Sequence, residues 1–562
     1  MKQTILFLIK KIYRKFAFSK KTELVSFPYN MNSIVGYKKP FFSLSKNEGF
    51  FTRYYQEHIE DCHNLNKFYH LERMQLFKYE ILWAKKITDN HYKIEALEDC
   101  VIPISGTTNI HQEIEIIEKE QNKVINFNSQ RFNYFKLDKG QSISINSKNN
   151  FLVGNKISLK NNSNSKSKSK SKSKSKYKLV LFLFVDGLCD IERLGHENLD
   201  EIMPNTYNYF SKGKVFKNHH ANGEWTLSSF ASLFTGGYSK GHKFFHPRKM
   251  HEIGKGYDTL GQLFSKKGYH TFQVGSGVRV NPGYGYVKGF DRTILKNQID
   301  GKEVISEFME NCESFKNRDQ FVWLNFNDIH HFLKQNPSMI TQTKLSYDYL
   351  EKKIESKVKS PFADYNQVSI QTLKTEMTKL DFYLETLYKY LNHNYSDDEI
   401  LVNLTSDHGH SFLDKTNNVL SVARSAIPWL IRAKGIEAGI SNEMTENVDV
   451  FRTIVKKCEL EEENILYDGN LPSDLGGVKS KDFAFMQSIF PGQTYKCAIK
   501  DKKYEFFFET EDTVDESGKF KSSPYKVSFF YLNSNSSADD TLLSEKYEKI
   551  CIERSRLWLA SL

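Results

Sequence analysis

Beyond residue 178 the chain alternates short apolar runs with polar loops and amphipathic stretches. Leu179–Val185 (LVLFLFV), His270–Val274, Phe321–Phe326 (FVWLNF) and Ile400–Leu404 (ILVNL) are almost wholly apolar. Runs of that length and character predict strands covered on both faces, the pattern of a mostly parallel sheet. Leu227–Phe234, Thr259–Lys267 and Val368–Asn392 carry helical patterning between them. The expectation for residues 179–500 is therefore an α/β catalytic domain, a mostly parallel sheet sandwiched by helices, with 501–562 as a C-terminal extension or subdomain.

The first part of the chain has another texture. Phe50–Ile87 is rich in Tyr, Leu, Phe and charges and lacks Gly and Pro, which predicts helix. From about Tyr92, short β-type runs follow: Lys123–Phe127, Phe132–Leu137 and Ser142–Ile145. Turn tokens at Asp138–Gly140 and Asn146–Asn150 bound some of them. Residues 1–158 are expected to form a small mixed or β-rich accessory domain with no catalytic constellation. Residues 159–178 contain NNSNSKSKSKSKSKSK, strict Ser-Lys alternation with no apolar face, which predicts a solvated linker.

Composition narrows the classes. With 43 Phe and 30 Tyr in 562 residues, a wholly disordered chain is excluded. The net charge of +11 suggests nucleic acid until its position is considered. Six lysines lie in Ser165–Lys176, so 11 − 6 leaves only +5 elsewhere. That run lacks interleaved aromatics and no nucleic-acid module is present, so no nucleic-acid partner is expected. The seven cysteines are odd in number, scattered, and never in a C-x-x-C pair, which argues for reduced thiols. No stretch reaches the length of a transmembrane segment. In MKQTILFLIKKIYRKFAF, the apolar run Ile5–Ile9 is too short for a signal-peptide core. The expected location is cytoplasmic, with a basic N-terminus able to touch a membrane surface.

Candidate chemistry sits where the strands end. LVLFLFV runs into Asp186-Gly187, FVWLNF into Asn327-Asp328-Ile329-His330-His331, and ILVNL into Thr405-Ser406-Asp407-His408-Gly409-His410. Ligands of parallel sheets bind beyond the carboxyl ends of strands. Carboxylate and imidazole donors gathered there suit a divalent cation, zinc or manganese ahead of calcium or magnesium. A fourth element, Gly223–Gly236, places Thr226 at the start of an amphipathic helix with Gly236 as its C-cap. Read alone, Thr226 is either an N-cap or a hydroxyl in an anion-binding position.

Together, VDGL, WTLSSFASLFTGGYSKGH and TSDHGH resemble the alkaline phosphatase superfamily, in its sulfatase-like, phosphodiesterase and phosphoethanolamine-transferase branches. Asp258–Val274, Gly289–Asp291 and Asp449–Gly477 extend the resemblance over roughly Leu179 to Lys500. The resemblance implies a metal site of Asp186, Thr226, Asp407 and His408, with Thr226 as nucleophile. His330 or His331 falls where the family places a substrate-contacting or leaving-group histidine, and spacing does not choose between them. Asp328 is similar to a second-metal ligand of two-metal phosphodiesterases; His410 is either a further ligand or a surface histidine.

Two departures shape the functional expectation. Sulfatases carry C-x-P-S-R with an oxidised Cys or Ser, whereas this chain has Thr226-Leu227-Ser228-Ser229-Phe230; and the second aspartate that sulfatases pair with the first is Gly187. Both point from sulfate esters toward phosphorus. The expected activity is a metal-dependent phosphoester hydrolase or phosphotransferase acting on a glycan- or lipid-linked phosphoester. The alternatives are a sulfuric ester hydrolase and a non-catalytic relative that binds a polysaccharide or partner.

Overall fold

A computed structural model describes residues 48–54, 78–161 and 175–562, apart from short stretches of which 331–337 and 345–363 are the longest. A 14-stranded sheet forms its centre. In its middle, Gln320–Phe326, Leu179–Val185 and Ile400–Thr405 run parallel, in register along their whole length. His270–Gly275 continues the parallel set on one side, whereas Trp429–Ala433 is antiparallel on the other.

The sequence LVLFLFV explains itself here. Successive side chains of a strand point to opposite faces, and both faces are covered. Leu179, Leu181, Leu183 and Val185 enter a core with the helices Gly301–Ser314 and Gln367–Asn394. Val180, Phe182 and Phe184 enter a second core with the helices Thr226–Thr235, Leu260–Lys267 and Asn447–Lys457. All seven strand residues are buried. The α/β expectation holds, with a mixed rather than purely parallel sheet.

The N-terminal part departs from expectation. Phe50–Ile87 does not form a helix where it is described: Glu48–Tyr54 and Tyr79–Ile87 are antiparallel strands. The second buries Tyr79, Ile81 and Leu82 while Lys85 reaches solvent. Nor is this part set apart by its backbone. Tyr79–Ile87 pairs antiparallel with Arg292–Leu295, so the described strands of the N-terminal part that are joined to it are continuous with the central sheet. Its apolar interior is nonetheless its own, built from Ile94, Ile102, Ile104, Ile145 and Phe151. A small second sheet of His91–Glu95, Ser142–Asn146, Gln112–Glu118 and Gln121–Phe127 completes it. Most of the Ser-Lys run, 162–174, lies outside the described residues.

At the other end the boundary at residue 500 falls inside a sheet. Ala484–Ser488, Thr494–Lys500, Tyr504–Thr513 and Tyr525–Tyr531 form a four-stranded antiparallel unit. The helix Thr541–Ala560 packs Tyr547, Cys551 and Trp558 against Phe506 and Phe508 on one face of it. The six described cysteines are all buried thiols. Among the described residues no helix is long and apolar enough to cross a membrane.

Candidate active site

Three neighbouring strands deliver the site. Asp186 follows Leu179–Val185, His330 follows Gln320–Phe326, and Asp407 and His408 follow Ile400–Thr405. Because these strands are parallel and in register, their carboxyl ends open on one edge. His330 Nε2 lies 3.6 Å and His408 Nε2 3.9 Å from Asp186 Oδ1, and His408 Nε2 lies 3.2 Å from Asp407 Oδ2. Ligand atoms of Asp186, His330 and His408 all fall within 4.8 Å of one another, and all three residues are buried.

Thr226 enters from the helix Thr226–Thr235. The helix is capped by Trp225, whose backbone is extended, so Thr226 is the first helical residue and not the N-cap. Its hydroxyl is turned to the cluster, 3.1 Å from His408 Nε2. His408 Nδ1 lies 2.9 Å from the Gly409 carbonyl, which can only accept, so Nδ1 carries the proton and Nε2 presents a lone pair. Thr226 lies in the first turn of the helix, whose leading N–H groups have no intrahelical acceptor, a favourable setting for an anion.

Electrostatically the site is poised for positive charge. Burial, then the charge of Asp407, holds the Asp186 carboxyl well above the usual carboxylate range. Burial likewise raises Asp407, partly offset by the Gly187 N–H, which donates to Oδ1 at 3.1 Å, and by Thr226. Among the described residues, Asp186 Oδ1 and Asp407 Oδ2 are buried with no hydrogen-bond donor. Two such carboxylate oxygens beside the His408 Nε2 lone pair form an acceptor set, which fits a divalent cation.

Two glycines make the loops possible. Gly187 has φ +79°, and a Cβ there would meet His410 Nε2 at 2.8 Å. The imidazole of His410 thus fills the space that a side chain at 187 would take. Its ring is 6.3 Å from that of His330 and 6.4 Å from that of His408, and it stacks on Phe412. A Cβ at Gly409 would meet the Ala423 carbonyl oxygen at 2.1 Å, so the chain passes too close for any other residue.

The structure thus brings together Asp186, Thr226, His330, Asp407 and His408, with His410 beside them. Asp328 is engaged elsewhere: its Oδ1 accepts from the Gly301 N–H at 3.2 Å, at the start of the helix Gly301–Ser314, and Lys379 approaches at 3.9 Å. His331 lies outside the described residues. Sequence reasoning missed Arg424, which is buried beneath the site, donates to the Glu224 carbonyl and acts electrostatically on Asp407. Nothing in the apolar-flanked SVARSAIPWL marks it.

Residues 180–457 match the family described as Sulfatase. They form a sulfatase-family domain of the alkaline phosphatase superfamily. Solved structures agree in fold. A phosphonate monoester hydrolase from Silicibacter pomeroyi has TM-score 0.52 and 15% identity, over 68% of this chain and 96% of that one. A putative sulfatase, yidJ, from Bacteroides fragilis has TM-score 0.52 and 14% identity, over 70% and 97%. The phosphonate monoester hydrolase of Agrobacterium radiobacter has TM-score 0.50 and 14% identity, over 68% and 96%. A search of curated proteins returned no match. The sulfatase domain is that of a hydrolase, and the enzymes of its family use a divalent metal.

Proposed function

We propose that the sulfatase domain is a metal-dependent phosphoester hydrolase or phosphotransferase that attacks through Thr226. The observation that carries this reading is the placement of Thr226 Oγ1, 3.1 Å from His408 Nε2 at the first residue of a helix. Threonine cannot give the aldehyde that sulfatases make from Cys or Ser, and the following Pro and Arg are absent.

Asp186, Thr226, Asp407 and His408 would hold the cation, with His330 close enough to Asp186 to join them or to face the substrate. Imidazole mixed with carboxylate suits zinc or manganese. When bound, the cation lowers the pKa of the threonine hydroxyl and neutralises the anionic ester. The Thr226 hydroxyl would give up its proton to water under the cation's charge, and Thr226 Oγ would form the bond to phosphorus as the bond to the leaving oxygen breaks. His330, facing the substrate and protonated from solvent, would give that oxygen its proton and then take one from the incoming water or alcohol. Water or an alcohol then attacks the phosphothreonine, returning the hydroxyl to Thr226 and the phosphoryl group to the acceptor. The helix N-terminus behind Thr226 stabilises charge on the non-bridging oxygens throughout.

Sulfate ester hydrolysis is the second reading, favoured by the family match itself. Assay of the manganese- or zinc-loaded full chain with an aryl sulfate and a bis-aryl phosphate separates the two. Faster cleavage of the phosphodiester supports the proposal; cleavage of the aryl sulfate alone overturns it.

A further inference from the structure

A cavity of about 880 Å³ lies away from the metal cluster, between the sulfatase domain and the C-terminal sheet. One wall follows from strand alternation. Glu505, Phe507 and Glu509 share one face of Tyr504–Thr513; Phe530, Ser528 and Lys526 stand opposite them in register on Tyr525–Tyr531. The other face of the sheet is committed to the helix Thr541–Ala560. Facing that wall are the turn Ile191–Leu194, the 413–422 loop and Tyr365.

The charges of this cavity are unevenly answered. Its carboxylates are satisfied by the protein. Lys500 lies 2.6 Å from Glu505. Thr494 Oγ1 donates to Glu509, with Lys496 at 3.1 Å, and Thr416 donates to Asp414 at 2.6 Å. Its cations make fewer direct contacts, although Arg193 feels Asp190 and Glu505, and Lys526 feels Glu509, at longer range. Arg193 Nη1 donates a hydrogen bond to His220 Nε2 at 3.1 Å, while its Nη2 is buried with no partner among the described residues. Lys415 lies only over the Tyr365 ring, and neither it nor Lys526 forms an ion pair among the described residues. Ser421, which is 4% exposed, leaves its Oγ without a partner among the described residues in the same wall.

We infer that this cavity binds a sugar bearing a phosphate or sulfate group. Arg193, Lys415 and Lys526 supply the charge for the anion, Arg193 with a guanidinium donor already desolvated. Phe507 and Phe530 are inclined at 56° with centroids 6.3 Å apart, so they do not form a slot for a planar base. They offer separate apolar faces to a puckered ring, and Ser421 and Ser528 meet its hydroxyls. This site would anchor a glycan chain outside the metal cluster. It rests on the ester chemistry proposed above only for the identity of the anion.

The test is titration calorimetry of the metal-free full chain, with no turnover involved. The probes are mannose 6-phosphate, N-acetylglucosamine 6-sulfate, mannose and inorganic phosphate. One site per chain is expected for at least one charged sugar, with mannose and inorganic phosphate weaker by about tenfold or more. The surface variant Lys415→Ala/Lys526→Ala should weaken the charged sugar by at least about tenfold, whereas Thr226→Ala should leave it unchanged. The inference is overturned if neither charged sugar binds, if inorganic phosphate binds as tightly, if the double variant binds like wild type, or if Thr226→Ala abolishes binding.

Discussion

If the N-terminal strands belong to the catalytic sheet, loosening their junction should destabilise the sulfatase domain itself. Glu80→Gln tests this at the seam. Glu80 sits opposite Ile294 in the pairing of Tyr79–Ile87 with Arg292–Leu295. Its Oε1 accepts from Arg292 Nε at 2.5 Å and from the Tyr134 hydroxyl at 2.8 Å, and the Glu80 side chain is 1% exposed. Glutamine keeps the shape and an acceptor for Tyr134 but removes the charge facing the guanidinium. Breaking a buried ion pair from one side costs about 3–5 kcal/mol, against about 5–15 kcal/mol for a whole domain. Urea unfolding of the full chain should therefore show one transition, moved to clearly lower denaturant. Nicking offers a second readout. Trypsin cleavage in the Ser-Lys run should leave two fragments that co-elute on gel filtration, held by strand pairing and by Lys78, which lies 2.6 Å from Glu307. The Glu80→Gln fragments should separate at lower denaturant. A separable N-terminal transition, with the rest of the chain melting as in wild type, would show that this junction does not couple the two parts.

Three further outcomes follow from the site. Thr226→Ala should cost only about 1–2 kcal/mol, because Trp225 is the cap and only the hydroxyl's bonds to His408 and Asp407 are lost, yet lower turnover by several orders of magnitude; Thr226→Ser should keep measurable activity, and near-wild-type turnover of the Ala variant would return Thr226 to structure alone. Burial raises both Asp186 and Asp407 in the fold, and the charge of Asp407 raises Asp186 further, so the stability they lend is present below the unfolded carboxylate range near pH 4 and is lost as pH rises through their folded values. Chelator-treated protein should thus gain more melting temperature from added zinc or manganese at about pH 8 than at about pH 5, and a gain that shrinks with pH would contradict the metal site. Gly187→Ala should cost about 1–3 kcal/mol through its positive φ and displace His410, so thermal stability and turnover should fall together; unchanged turnover in a folded variant would leave His410 outside the site.

Much of this was legible because burial writes itself into composition. A strand covered on both faces must be apolar throughout, so LVLFLFV and ILVNL announce their place, and the residues just past them announce the edge where ligands collect. Tyr79–Ile87 hid because a buried Glu80 and adjacent lysines blur its pattern, and its strand partners lie about 30, 70 and more than 200 residues away. Spacing left His330 and His331 equivalent; only the fold sets His330 against Asp186. The one-residue difference between N-cap and first helical position at Thr226 depends on Trp225's backbone. The buried Arg424 and the His410–Gly187 contact are relations between distant loops, which periodicity does not encode.

The central claim is that Thr226 Oγ forms a bond to phosphorus. Its most direct test is to load the full chain with manganese or zinc, mix it with a slow bis-aryl phosphate, quench in acid and map the peptides by mass spectrometry. The account predicts a phosphoryl or aryl-phosphoryl adduct on the peptide containing Thr226, absent in Thr226→Ala and in chelator-treated protein. Turnover of the same substrate with no adduct at any quench time, or with an adduct on another residue, would contradict it.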